Sequence, residues 1–110
     1  MKIPNQGKDS DIQILHVTST HDDKKIGVAL GRRLIKNGFQ ITEIVVYQRN
    51  EMGKFEIQKL RDFEYPDACY VFYFNRKNSD ELLFMTNTEI FRYNYLDESM
   101  DKGEFYTFNN

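Results

Sequence analysis

A chain of 110 residues with 40% hydrophobic and 29% charged side chains has the make-up of one globular domain, not of a disordered or fibrous chain. Its longest apolar runs, such as Tyr70–Phe74, are too short to span a bilayer, and the opening MKIPNQGKDSD lacks the apolar core of a secretory signal. A cytoplasmic protein with no membrane partner is therefore expected. The single cysteine, Cys69, excludes an internal disulfide framework and a cysteine-based zinc site.

Residues 1–10 read as a polar leader and 97–110 as an acidic tail, both mobile, flanking a single domain. Ile12–Val17 is a short apolar run that suits a buried strand or the start of a helix. Ile26, Leu30 and Leu34 then recur at four-residue intervals, with Ala29 on the same side. That spacing predicts an amphipathic helix from about Asp23 to Asn37, with Ser19, Thr20 or Asp22 as caps and Gly38 as its stop. Gly27 and Gly31 sit inside this segment, and each costs about 1 kcal/mol of helix propensity. Close backbone approach to a sheet accounts for them better than phosphate cradling. GVALG lacks both the P-loop ending and the dinucleotide spacing.

Gln40–Tyr47 is rich in β-branched residues and reads as a strand. A turn over Arg49–Gly53 leads to a second strand, Lys54–Leu60. Ala68–Phe74 is apolar on both faces, which suits a central strand. The polar loop Asn75–Asp80 joins it to Glu81–Met85, and Asn87 or Thr88 caps a short C-terminal helix, TEIFRY. The expected fold class is α+β: one main helix packed on a four- to five-stranded, mainly antiparallel sheet.

Charge is distributed unevenly. Residues 22–62 carry nine cationic and six acidic side chains, a balance of +3, whereas residues 63–110 carry four and nine, a balance of −5. Lys24, Lys25, Arg32, Arg33, Lys36, Arg49, Lys54 and Lys59 are the candidates for a phosphate-binding face. Thirteen of the sixteen aromatic residues lie from Phe63 onward, so the C-terminal half is expected to hold a packed sheet. Phe91, Tyr93, Tyr95, Phe105, Tyr106 and Phe108 are candidates for a surface that binds a protein partner or a second copy of the chain.

For chemistry, Glu56 on the second strand of the Arg49–Gly53 hairpin is the first candidate, since a carboxylate beside another acidic residue on one strand face can hold a divalent cation for phosphodiester cleavage. His16 and His21, near Asp22 and Asp23, match no closed metal-ligand spacing, so no metal site is assigned to them. Cys69 lies in the most apolar strand and reads as a small buried hydrophobe rather than a nucleophile.

The order of KKIGVALGRRLIKNGF, QITEIVVY, KFEIQKL and YPDACYVFYFNRKNSDELLFMTNTEI, about residues 22–93, resembles the core of the PD-(D/E)XK, or restriction-endonuclease-like, superfamily. The resemblance implies that Glu56 stands at the metal-binding glutamate of E-x-K and Gln58 at its lysine, with Glu51 the nearest substitute for the aspartate. Such a set is incomplete. It implies a non-catalytic, nucleic-acid-associated protein without a cofactor, Mg²⁺ entering only for a true nuclease. The second expectation is a phage- or mobile-element-type regulator that inhibits a nucleic-acid-processing host protein through its aromatic, acidic C-terminal surface.

Overall fold

In a computed structural model, which describes residues 12–33, 39–63, 69–86 and 89–102, the chain forms eight β-strands. They are β1 (Gln13–Ser19), β2 (Lys25–Arg33), β3 (Phe39–Arg49), β4 (Phe55–Asp62), β5 (Cys69–Phe74), β6 (Glu81–Thr86), β7 (Ile90–Asn94) and β8 (Met100–Lys102). β1 to β4 form one antiparallel meander and β5 to β8 a second, each in sequence order. Side chains from both sheets share one core, so the fold is an all-β sandwich. This overturns the α+β expectation: no described residue is helical. Among the described residues no helix is long and apolar enough to cross a membrane.

The main helix expected over 23–37 is strand β2 as far as Arg33; residues 34–38 lie outside the described residues. A four-residue recurrence fits both periods. Residues i and i+4 share a helix face, but they also share a strand face. In β2, Ile26, Val28 and Leu30 point to one side, and Gly27, Ala29 and Gly31 to the other. The glycine-rich side faces the opposite sheet. A Cβ on Gly27 would stand 3.2 Å from the Phe74 ring, and one on Gly31 would stand 1.9 Å from the Gln40 carbonyl oxygen. The close approach inferred from the glycines is therefore present, but to the opposite sheet at Gly27 and to the neighbouring strand β3 at Gly31, rather than beneath a helix.

The expected C-terminal helix is also a strand. Along β7, Phe91 and Tyr93 are buried while Ile90, Arg92 and Asn94 are half-buried, which is a period of two. Asp97–Lys102, expected in a mobile tail, instead form the β7–β8 turn and β8. Ala68–Phe74, expected at the centre of a sheet, supplies the edge strand β5. Its inward residues Phe72 and Phe74 enter the core, while outward Tyr73 is largely exposed.

Between the sheets lies an aromatic layer. Phe84 stacks on Phe63 at 4.9 Å and on Phe91 at 5.1 Å, and Phe72 tilts against it at 5.2 Å. Phe63 meets Tyr93 edge-on at 4.7 Å. A second, smaller cluster covers the outer face of the N-terminal sheet, with Val28, Leu30, Val45 and Tyr47 fully buried there. Its flanks, Ile14 and Val17 on β1 and Ile57 and Leu60 on β4, are exposed.

The registers skip one residue in each of three edge strands: Leu15 in β1, Gln58 in β4 and Tyr70 in β5. These are β-bulges, which twist an edge away from further pairing. The fourth edge strand, β8, is three residues long.

The two inward glycines make a graded prediction. Gly31→Ala forces backbone against backbone and should cost about 3 kcal/mol or more, whereas Gly27→Ala meets only the far end of a ring and should cost about 1 kcal/mol. Urea unfolding of the two variants measures both. Equal losses would contradict the asymmetry in space.

Candidate nucleic-acid interface

Three of the strand-connecting turns meet at one end of the sandwich, tied through β2. In the β1–β2 turn the Thr20 hydroxyl donates to Asp22 at 2.7 Å, and the Lys24 N–H donates to the same carboxylate at 3.1 Å. Those bonds hold the Asp22 carboxyl below its ordinary pKa. Asp23 takes a left-handed backbone at φ 61°, which short polar side chains tolerate best after glycine. The turn presents His21 on its outside, exposed.

In the β5–β6 loop, Asn75 Oδ1 accepts from the Lys77 N–H and Asn78 Oδ1 accepts from the Asp80 N–H, both at 3.0 Å. These two Asx turns fix the backbone and leave Arg76 and Lys77 at the tip. Both are exposed, and neither forms an ion pair among the described residues.

The two turns are pinned together by Lys25. Its ammonium donates to the Tyr95 hydroxyl at 2.7 Å, to Asp80 Oδ1 at 3.1 Å and to the Ser79 carbonyl at 3.4 Å. Burial works against its charge, but the bonds to Tyr95 and Asp80 outweigh that, and its pKa lies above the ordinary value. Burial also raises the Tyr95 hydroxyl, with the Lys25 bond opposing. Arg61 makes a second pin, donating to the Tyr95 and Leu96 carbonyls at 2.8 and 2.6 Å and pairing with Glu98 at 3.1 Å. His16 supplies a third: its Nε2–H donates to the Cys69 carbonyl at 3.0 Å and joins β1 to β5.

Where the end of β1 meets the open edge of β5, these pins leave a cleft of about 700 Å³. Thr18, Ser19 and His21 form one wall, and the loop residues Asn75, Arg76 and Lys77 form the other. Tyr73, Leu83 and Arg92 make the floor, side by side in one cross-strand row. Arg92 continues that row to Asp101, with which it pairs at 2.8 Å. The described lining residues include two arginines, a lysine and a histidine, and no carboxylate. Tyr73 is 60% exposed, the most exposed aromatic residue described.

The residues expected to form one cationic face are scattered. Lys25 is a buried inter-sheet pin, so it is removed from any phosphate-binding role. Lys24, Arg49 and Lys54 are exposed at the end of the N-terminal sheet that carries the turns, where Arg49 lies over the Phe55 ring at 5.2 Å. Arg32 and Arg33 are exposed at the opposite end, since Arg32 pairs in register with Gln40, nine residues from Arg49 along β3, which is roughly 30 Å. Lys59 is half-buried on β4, and Lys36 lies outside the described residues. The helix that would have gathered these side chains on one face is a strand, and a strand spreads them along its length.

The aromatic candidates divide in the same way. Phe91, Tyr93 and Tyr95 are buried in the core and cannot present a partner surface, while Phe105, Tyr106 and Phe108 lie outside the described residues. Glu56 and Glu51 are both exposed near the β3–β4 turn. Glu56 accepts from the Asn50 amide at 2.6 Å, and Asn50 Oδ1 in turn accepts from the Met52 and Lys54 N–H groups, each at 2.9 Å. The carboxylate thus orients a turn. Among the described residues no three His, Cys, Asp or Glu side chains gather where they could hold a metal ion. Cys69 is buried, and burial pushes its thiol pKa up, which keeps it protonated and inert.

Compared with known proteins, the chain matches no family model, no curated protein and no solved structure. The cleft residues Tyr73, Arg76, Lys77 and Arg92 escape a reading by segment charge, because they lie in the half that carries the −5 balance. The usable signal was local: an aromatic strand running directly into Arg-Lys at a loop tip.

The Lys25–Tyr95 pin predicts alkaline unfolding. Both groups hold their protons more tightly when folded, so their stabilisation is complete below the ordinary values of 10.0 and 10.5 and is lost as pH rises past them. Urea midpoints should stay level from about pH 7 to 9 and fall above about pH 10. Tyr95→Phe should cost about 1–2 kcal/mol at neutral pH and make the alkaline fall shallower. Asp80→Asn should cost less, about 1 kcal/mol, because the Asp80 side chain is 43% exposed and its attraction is screened. A parallel alkaline limb in Tyr95→Phe would remove this pair as its cause.

Proposed function

We propose that this protein binds nucleic acid without cleaving it, through the cleft between the end of β1 and the β5–β6 loop. The observation that carries the reading is the lining itself: Arg76 and Lys77 unpaired at the tip, Arg92 beside them, His21 opposite, and no carboxylate among the described lining residues. Arg76 and Lys77, which form no ion pair among the described residues, can attract phosphates and release condensed counterions on contact. Thr18 and Ser19 add hydroxyls of the kind that bond to phosphate and sugar oxygens. A non-catalytic role is supported by Glu56, whose partner is an amide that shapes a turn.

Fluorescence anisotropy with a labelled oligonucleotide across a potassium chloride series tests this. Two to three phosphate contacts on a single strand give a log–log slope of about −1.4 to −2.1, and a dissociation constant of order 1–100 µM. Arg76→Ala combined with Lys77→Ala should flatten the slope by about 1.4. Arg32→Ala with Arg33→Ala, at the far end of β2, should leave binding unchanged. Absence of binding at about 20 mM salt, or loss of binding only in the far-end variant, would refute the reading.

A further inference from the structure

We infer that the strand held in the cleft is single-stranded, with an unpaired base stacked on Tyr73; this rests on the nucleic-acid reading above and specifies its ligand. Tyr73 points away from the core on an edge strand, and 60% of it is open to solvent. An aromatic ring so exposed is not explained by packing, since its neighbours Phe72 and Phe74 already supply β5 to the core. It lies on the cleft floor three residues before Arg76, so a base on the ring and the adjoining phosphate on the loop tip can be held at once.

The row beside it suits the same ligand. Leu83 stands directly across from Tyr73, and Arg92 across from Leu83, at strand spacings of about 4.8 Å. The Asp101 carboxylate fixes the Arg92 guanidinium at 2.8 Å, and the Arg92 side chain remains 35% exposed. Ring, aliphatic side chain and planar cation thus form one short platform. Stacking on such a platform needs a free base face, and a duplex buries its faces against neighbouring pairs. Phosphate contacts alone would not distinguish the two forms, so Tyr73 is the residue that does.

The test compares a labelled oligothymidine strand with a blunt duplex of equal length, both at about 50 mM salt. The strand should bind more tightly than the duplex. Tyr73→Ala should weaken strand binding by roughly 5- to 100-fold, the range for loss of one stacked base. Tyr73→Phe should restore it, and neither change should alter duplex binding. Because Tyr73 is exposed, both variants should melt with the parent protein, which separates a lost platform from a lost fold. If strand and duplex bind equally, Tyr73→Ala is silent and the Arg76/Lys77 double variant still weakens both, the single-strand inference fails and the nucleic-acid reading stands. If neither oligonucleotide binds, both fall.

Discussion

Strand β2 is thin where it faces the C-terminal sheet, and the packing of the rings against it depends on that thinness. Where it faces the C-terminal sheet it carries Gly27 and Ala29, with almost no side-chain thickness, while Gly31 lies against the Gln40 carbonyl of β3. The aromatic rings of the C-terminal sheet fill the space that larger residues would have taken, so Phe74 packs against the Gly27 backbone. Its outward face carries Ile26, Val28 and Leu30, which bury their bulk in the second cluster. One strand is therefore thin on one side and thick on the other. Phe72, Phe74, Phe84, Phe91 and Tyr93 share one core with Ala29, Ile41, Ile44 and Val46 of the N-terminal sheet, and the thin stretch of β2 leaves room there for the Phe74 ring.

Polar contacts then fix what the apolar contacts leave free. Burial of rings is non-directional and would tolerate sliding of one sheet over the other. Lys25, Arg61 and His16 each reach from the N-terminal sheet to defined oxygens on the C-terminal one. A buried ammonium is costly without partners, so the arrangement that satisfies Lys25 is strongly preferred over its neighbours. That arrangement places the β1–β2 turn opposite the β5–β6 loop, and the cleft exists because these two turns are held apart at a fixed spacing. A residue whose sequence position suggested surface charge thus acts by positioning two turns that carry it.

Much of the chain was legible as strands and loops. Gln40–Tyr47 and Glu81–Met85 fall within β3 and β6, Lys54–Leu60 and Ala68–Phe74 overlap β4 and β5 from Phe55 and Cys69 onward, and the polar loops around Arg49–Gly53 and Asn75–Asp80 lie at observed turns. The error lay at β2, where Ile26 and Leu30 fit either period and the charged residues that follow resembled a solvated helix face. The two glycines carried the correcting signal, since each opposes a helix and both suit a thin strand. The short helix over TEIFRY failed for the same reason: its alternation at Phe91 and Tyr93 was real but brief. The sequence could not show that eight strands divide into two sheets, because that depends on which faces meet. The cleft was illegible on the same ground. Its parts come from β1, β5, β6 and β7 and become neighbours only when the sheets close.

The edges of the sandwich bear on how it can recognise anything. β1, β4 and β5 each carry a bulge. Glu56 and Lys59 on β4 add charge beside its open backbone. Strand addition is therefore disfavoured at these three edges, and with it one route by which a small β-protein captures an extended peptide or pairs with its own copy. At the β5 edge the bulged residue is Tyr70, three positions before Tyr73, so the distortion that blocks pairing lies in the same strand that presents the exposed ring. A bulge re-aims the side chains that follow it as well as ending the ladder. The Tyr70 bulge thus interrupts pairing in the same strand whose outward ring, Tyr73, lines the cleft.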